Sequence, residues 1–141
     1  MLSTVAVGTD GSATASEAVN AAAEIAKRFD AKLVLLSASQ KTAQAVSLGG
    51  PSAELQWASN QDARVREMLS RTEQDLRDRN IDCTTMIDEG EPADVLTRLA
   101  EECGADLLVI GNRGMHRRVL GSVPNSVTHK APCSVYVVKT T

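Results

Sequence analysis

The sequence predicts an α/β fold, a three-layer sandwich around a five-stranded parallel sheet. Three observations predict it. Short apolar runs alternate along the chain with longer segments of helical spacing, and strands separated by helices need parallel crossovers, which are right-handed in nearly all cases. Two of the runs, Ala31–Ser37 and Asp106–Ile110, are almost continuously apolar, as strands covered on both faces are. Aromatics make up only 2% of the chain, one each of Phe29, Trp57 and Tyr136. The core must then be built from Val, Leu, Ile and Ala, which suits a parallel sheet under closely packed helices. With 141 residues, 43% of them hydrophobic, one domain spanning residues 1–141 is expected.

Thr4–Gly8 is a short β-branched run leading into Gly-Thr-Asp-Gly-Ser, a strand entering a turn. A helix follows from about Ser12, capped by Ser12 or by Thr14, the latter forming a capping box with Glu17. Ala15, Val19, Ala22, Ala26 and Phe29 recur at helical spacing as its inner face. Ala31–Ser37 is the second strand. Residues 40–58, centred on Gly49-Gly50-Pro51, break the rhythm and read as a long connection, either a functional lid or a mobile loop. Helical spacing resumes near Ser59, with Val65, Met68 or Leu69, Thr72 and Leu76 facing inward and Asn80 as the stop. Ile81–Ile87 is a third strand. Gly90-Glu91-Pro92 opens a third helix, Pro92 standing where its missing N–H costs nothing. Its inner face is Val95, Leu96, Leu99 and Cys103, and Gly104 ends it. Asp106–Ile110 is the fourth strand. A Gly-rich segment from Gly111 to Ser122 leads into a short helix at about Val123–Lys130, and Ser134–Val138 is the fifth strand.

Composition narrows the function. Fifteen Lys and Arg stand against 18 Asp and Glu, a net charge of −3, which argues against nucleic-acid or anionic-membrane partners because both need a basic surplus. No apolar run approaches the roughly 20 residues of a membrane span. Met1–Thr9 has no basic segment followed by a long apolar stretch, so no signal peptide is expected and the cytoplasm is the expected location. Cys83, Cys103 and Cys133 are odd in number and form no C-x-x-C pair. They read as small hydrophobes rather than as a disulfide framework or a zinc site.

In an open parallel sheet the ligand site lies beyond the carboxyl ends of the strands, where the strand order reverses. Two Gly-rich turns follow strands and open helices: Gly8-Thr9-Asp10-Gly11-Ser12 after the first, and Gly111-Asn112-Arg113-Gly114 through Gly121-Ser122 after the fourth. Glycines let backbone amides approach a ligand, and a helix N-terminus adds partial positive charge, so such turns can cradle phosphates. Taken singly, either could be only a turn. There is no G-x-x-x-x-G-K-[ST], no G-x-G-x-x-G after the first strand, no G-x-S-x-G and no H-E-x-x-H. His116 and His129 have no metal-ligand spacing.

These two turns, with Gly90-Glu91-Pro92-Ala93 and Ala131-Pro132-Cys133-Ser134-Val135, resemble the universal stress protein family over the whole chain. The resemblance implies strand order 3-2-1-4-5, a homodimer paired through the last strand, and, in the ATP-binding branch, a G-2x-G-9x-G-[S/T] loop. Here six residues, Met115–Leu120, separate Gly114 from Gly121 where the family formula has nine. The ligand implied is ATP, or AMP, ADP or cAMP, and the shorter spacing leaves open which. Carried over residue by residue, the resemblance places Gly111, Gly114, Gly121, Ser122 and Val123 at the phosphates, and Asn112 and Arg113 of the same segment are expected to bind the nucleotide with them. Ala38 presents its backbone to the adenine edge, and Gly8 and Thr9 border the ribose. Asp10 reaches the ribose-phosphate region or a bound Mg²⁺; its alternative is a turn residue using its own side chain. Met86 and Asp88 would wall the base. Within the basic cluster His116-Arg117-Arg118, Arg117 or Arg118 grips a phosphate, or the cluster is a solvated charge run. Val135, Tyr136, Val137 and Val138 would form the dimer edge.

Three functions compete on this reading. One is a non-enzymatic, nucleotide-binding regulatory protein of the stress response. Another is a slow ATPase, for which one carboxylate is a thin catalytic set. The last is a dimeric interaction module that binds no nucleotide.

Overall fold

The structure is a computed structural model that describes residues 1–39, 52–112 and 120–139. Its elements run β1 (Thr4–Gly8), α1 (Ala13–Phe29), β2 (Lys32–Ser39), α2 (Ser52–Asp78), β3 (Cys83–Glu89), α3 (Pro92–Glu102), β4 (Leu107–Asn112), α4 (Ser122–Lys130) and β5 (Ser134–Lys139). The five strands pair in parallel in the order β3-β2-β1-β4-β5, as the resemblance implies. No helix among the described residues is long and apolar enough to cross a membrane.

Side chains that alternate along each strand separate the core into two layers. One face of the sheet carries Val5, Val7, Leu33, Leu35, Cys83 and Val109 against the alanines of α1 and against Leu69 and Leu76 of α2. The other carries Ala6, Val34, Leu36, Leu108 and Ile110 against Val95, Leu96 and Leu99 of α3 and Val127 of α4. Both faces are covered, which is why the strands read as apolar runs rather than as alternation. Five buried alanines on α1 (Ala15, Ala18, Ala22, Ala23 and Ala26) let that helix lie close to the sheet. Desolvation is severe enough in the first layer to push the Cys83 thiol up to about 12, with Glu73 adding to the rise. That buried thiol is the small hydrophobe the sequence suggests, while Cys103 and Cys133 are half-buried against the second layer.

Several expected boundaries move. Ser12 is the cap of α1, its Oγ accepting from the Ala15 amide at 3.1 Å; Thr14 lies inside the first turn, so the alternative cap is not used. Phe29 is 53% exposed, because α1 ends there with Asp30 in the left-handed region at φ 53° and Ala26 and Ala31 fill the inner positions. The second long helix starts at Ser52, seven residues before the expected Ser59. Ala53, Glu54, Leu55 and Gln56 are strong helix formers that need no apolar stripe to be helical. The rest of the expected connection, residues 40–51, lies outside the described residues, so the lid reading does too. β4 runs on through Gly111 and Asn112, which pair with Val138 and Lys139 of β5.

Candidate functional site

β1 is flanked by β2 and β4, so the order reverses beside it and a crevice opens beyond its carboxyl end. The turn after β1 is held by the β2 backbone and by its own side chains. The Thr9 amide donates to Leu36 O at 2.9 Å, the Gly11 amide to Thr9 Oγ1 at 3.2 Å, and the Ser12 amide to Asp10 Oδ1 at 2.9 Å. Gly11 sits at φ +82°, and a Cβ there would lie 3.2 Å from the Met68 side chain. Asp10 therefore does the turn work that the sequence offered as its alternative role, while its exposed carboxylate still borders the crevice.

On the other side, Asn112 closes β4 and is wholly buried. Its Oδ1 accepts the Gly121 amide at 2.8 Å. Gly121 is the cap residue of α4 and supplies no side-chain bond. A helix start leaves four amides without intrahelical partners. Here the Gly121 amide is taken by Asn112, and Pro124 has none. Ser122 and Val123 remain, and among the described residues neither amide has a hydrogen-bond partner. Both residues border the crevice, at the end of α4 where the helix dipole is positive.

The crevice has a volume of about 400 Å³, within the range of small-molecule sites. Of the residues singled out in the sequence, Gly8, Thr9, Asp10, Ala38, Gly111, Gly121, Ser122 and Val123 all border it. Asn112 does not; it lies behind the wall. Arg113, Gly114 and Arg117, with His116 and Arg118, lie outside the described residues. Met86 and Asp88 do not border it either: Met86 packs into the second core layer, and Asp88 pairs with Arg98 at 2.8 Å. The Glu89 amide and then Arg98 hold the Asp88 carboxyl below the usual carboxylate range. The apolar wall is made instead by Pro92, Leu96 and Ile110. In the sequence Leu96 and Ile110 read only as core residues, and nothing marked their exposed ends. Ser12, Thr14, Ala15, Ser37 and Pro124 also border the crevice. One end of the crevice thus offers amides and hydroxyls, and its flank is apolar.

Asp10 is the one acidic residue among the described residues that border the crevice. Among the described residues no group of three or more His, Cys, Asp or Glu gathers to hold a metal. At the far edge of the sheet, β5 pairs with β4 alone. Tyr136 there is 44% exposed, Val135 and Val137 are half-buried, and Val138 is buried in the first core layer.

A sequence profile described as the universal stress protein family matches residues 1–139. The universal stress protein Rv1636 of Mycobacterium tuberculosis is 35% identical over an alignment of 144 positions, covering 98% of this chain and 97% of its own. A universal stress protein solved in complex with cAMP superposes with a TM-score of 0.72 at 31% identity, covering 97% of this chain and 96% of the other. The universal stress protein UspA from Lactobacillus plantarum, at 24% identity, shares the fold with a TM-score of 0.81 over 97% of each chain.

Proposed function

The chain belongs to the universal stress protein family, and we propose that it binds an adenine nucleotide, ATP or a relative such as ADP, AMP or cAMP, in the crevice between β1 and β4. The observation that carries this reading is the pair of amides, Ser122 and Val123, that have no hydrogen-bond partner among the described residues, at a helix start bordering a crevice of about 400 Å³. A phosphate group supplies the acceptors those amides lack. Further support comes from the relative solved with cAMP, whose chain is 31% identical to this one.

In this arrangement the phosphates sit on the Ser122 and Val123 amides and the Ser122 hydroxyl. The ribose lies along Gly8 and Thr9, and the base lies against the apolar flank with the Ala38 backbone at its edge. Were Mg²⁺ to accompany the nucleotide, Asp10 would be the carboxylate among the described crevice residues able to face it. The nucleotide is a regulatory ligand rather than a substrate, because a single carboxylate does not build a phosphoryl-transfer site. Three unpaired thiols suit a reducing compartment, and we place the protein in the cytoplasm. The protein pairs with a second copy through β5, whose outer edge has unpaired backbone groups and an exposed Tyr136.

Calorimetric titration with ATP, ADP, AMP and cAMP, with and without Mg²⁺, tests the binding. One saturable site is expected for at least one of them. S122A removes the hydroxyl but keeps the amide, and should weaken that ligand about fivefold, on the order of 1 kcal/mol. No heat with any of the four overturns the proposal.

A further inference from the structure

Asn112 occupies an unusual position for a residue in a glycine-rich phosphate turn. It is 0% exposed and does not border the crevice, yet its side-chain carbonyl reaches the Gly121 amide at 2.8 Å. A buried amide side chain is costly unless it is bonded, so this contact is a fixed part of the fold. Asn112 ends β4 and Gly121 caps α4, so this hydrogen bond ties the end of the strand to the start of the helix. The approach is close from both sides: a Cβ added at Gly121 would stand 3.2 Å from Asn112 Oδ1.

The chemistry of the side chain matters as much as its place. A carboxylate here would also accept the Gly121 amide, but it would put a negative charge beside the end of α4 that is to receive an anion. An aliphatic residue would leave the Gly121 amide without its partner, at the desolvation cost of a lost hydrogen bond. Asparagine supplies an acceptor and no charge.

We infer that Asn112 is the positioning residue of the phosphate-holding end: it clamps the Gly121 amide, thereby aims the Ser122 and Val123 amides, and does not itself touch the ligand. The inference rests on the adenylate reading for its ligand, while the clamp can be observed without one. Because the proposed pose sets the ribose on Gly8 and Thr9 and the base at Ala38, away from Gly121, loss of the clamp should cost the phosphate and spare the nucleoside. A residue that merely supported the fold would weaken both alike.

The test compares N112A with the unaltered protein in two measurements, the Kd values for adenosine and AMP and the hydrogen-exchange rate of the Gly121 amide. N112A should weaken AMP about tenfold, leave adenosine within about twofold, and speed Gly121 exchange at least about tenfold. Equal weakening of adenosine and AMP, or unchanged exchange at Gly121, overturns the inference. If the unaltered protein binds neither ligand, AMP is replaced by whichever of ATP, ADP and cAMP it binds, and binding of none of them ends the adenylate reading. The clamp is then judged by exchange alone, faster exchange supporting it and unchanged exchange ending it. Should N112A not fold, N112D carries the test: Gly121 protection is kept, AMP is weakened about tenfold and adenosine is unchanged. Loss of Gly121 protection in N112D, or equal loss of both ligands, overturns it.

Discussion

Gly111 has no side chain because the first turn of α1 leaves no room for one. A Cβ there would lie 3.0 Å from both the Thr14 carbonyl oxygen and Thr14 Cγ2. One of these two obstacles is backbone, which cannot rotate out of the way as a flexible side chain can. G111A should therefore push α1 off the end of β4 and cost about 1–3 kcal/mol, read as a lower urea midpoint with an unchanged slope. Unaltered stability would show that the turn yields freely. The sequence marked Gly111 as special and suggested amide donation to a ligand. Its steric role depends on Thr14, nearly a hundred residues away along the chain, and no local pattern encodes that meeting. Asn112 is a similar case: its place between Gly111 and Gly114 drew attention, but only the fold reveals that it faces inward. Asp10 was legible in its turn role, since an Asx turn needs nothing beyond its own next two residues.

Individual elements are fixed partly by end contacts between distant segments. The Asp106 carboxylate, just before β4, accepts the Ser3 amide at 2.9 Å and the Thr4 amide at 3.0 Å, tying the starts of the two central strands together. Those two amides, Thr4 first, hold the Asp106 carboxyl below its ordinary value. A carboxyl lowered in the folded state stabilises the protein above its unfolded pKa, about 3.9. That contribution disappears as pH falls through the folded value. Asp88, lowered by the Glu89 amide and Arg98, acts in the same direction. D106N should lower the melting temperature at neutral pH and flatten its decline below about pH 4, in melts recorded from pH 7 to pH 2.5. A decline as steep as in the unaltered protein would remove Asp106 from the explanation. Such latches cannot be read from sequence, whereas element type could: the apolar runs and helical spacings gave every strand and helix the structure describes. Boundaries were less legible where a glycine looked like a stop. β4 continues through Gly111 because β5 offers it Val138 and Lys139. α2 begins early on propensity, and four ion pairs at i,i+4 spacing, from Asp62–Arg66 to Asp75–Arg79, line its later turns.

At the scale of the molecule, the strand order brings two turns more than a hundred residues apart to one crevice. The same order leaves β3 and β5 as edges. Position relative to the sheet was legible, because alternating strands and helices permit few topologies and ligand sites follow the reversal. The apolar flank was not, since Leu96 and Ile110 serve core and crevice together. For the β5 edge, Y136K places a charge on an exposed side chain at the pairing surface. On the proposal that two copies pair through β5, light scattering should give twice the chain mass for the unaltered protein and the mass of one chain for Y136K, with the melting temperature little changed. A single-chain mass for the unaltered protein, or no fall in Y136K, would overturn that pairing.

The central claim is that the Ser122 and Val123 amides receive a phosphate. Amide ¹⁵N–¹H correlation spectra recorded while AMP is added, with adenosine as the control, test it most directly. Large, saturable shifts at Ser122 and Val123 with AMP, absent with adenosine, are predicted. AMP that saturates the protein while those two resonances stay in place would contradict the claim.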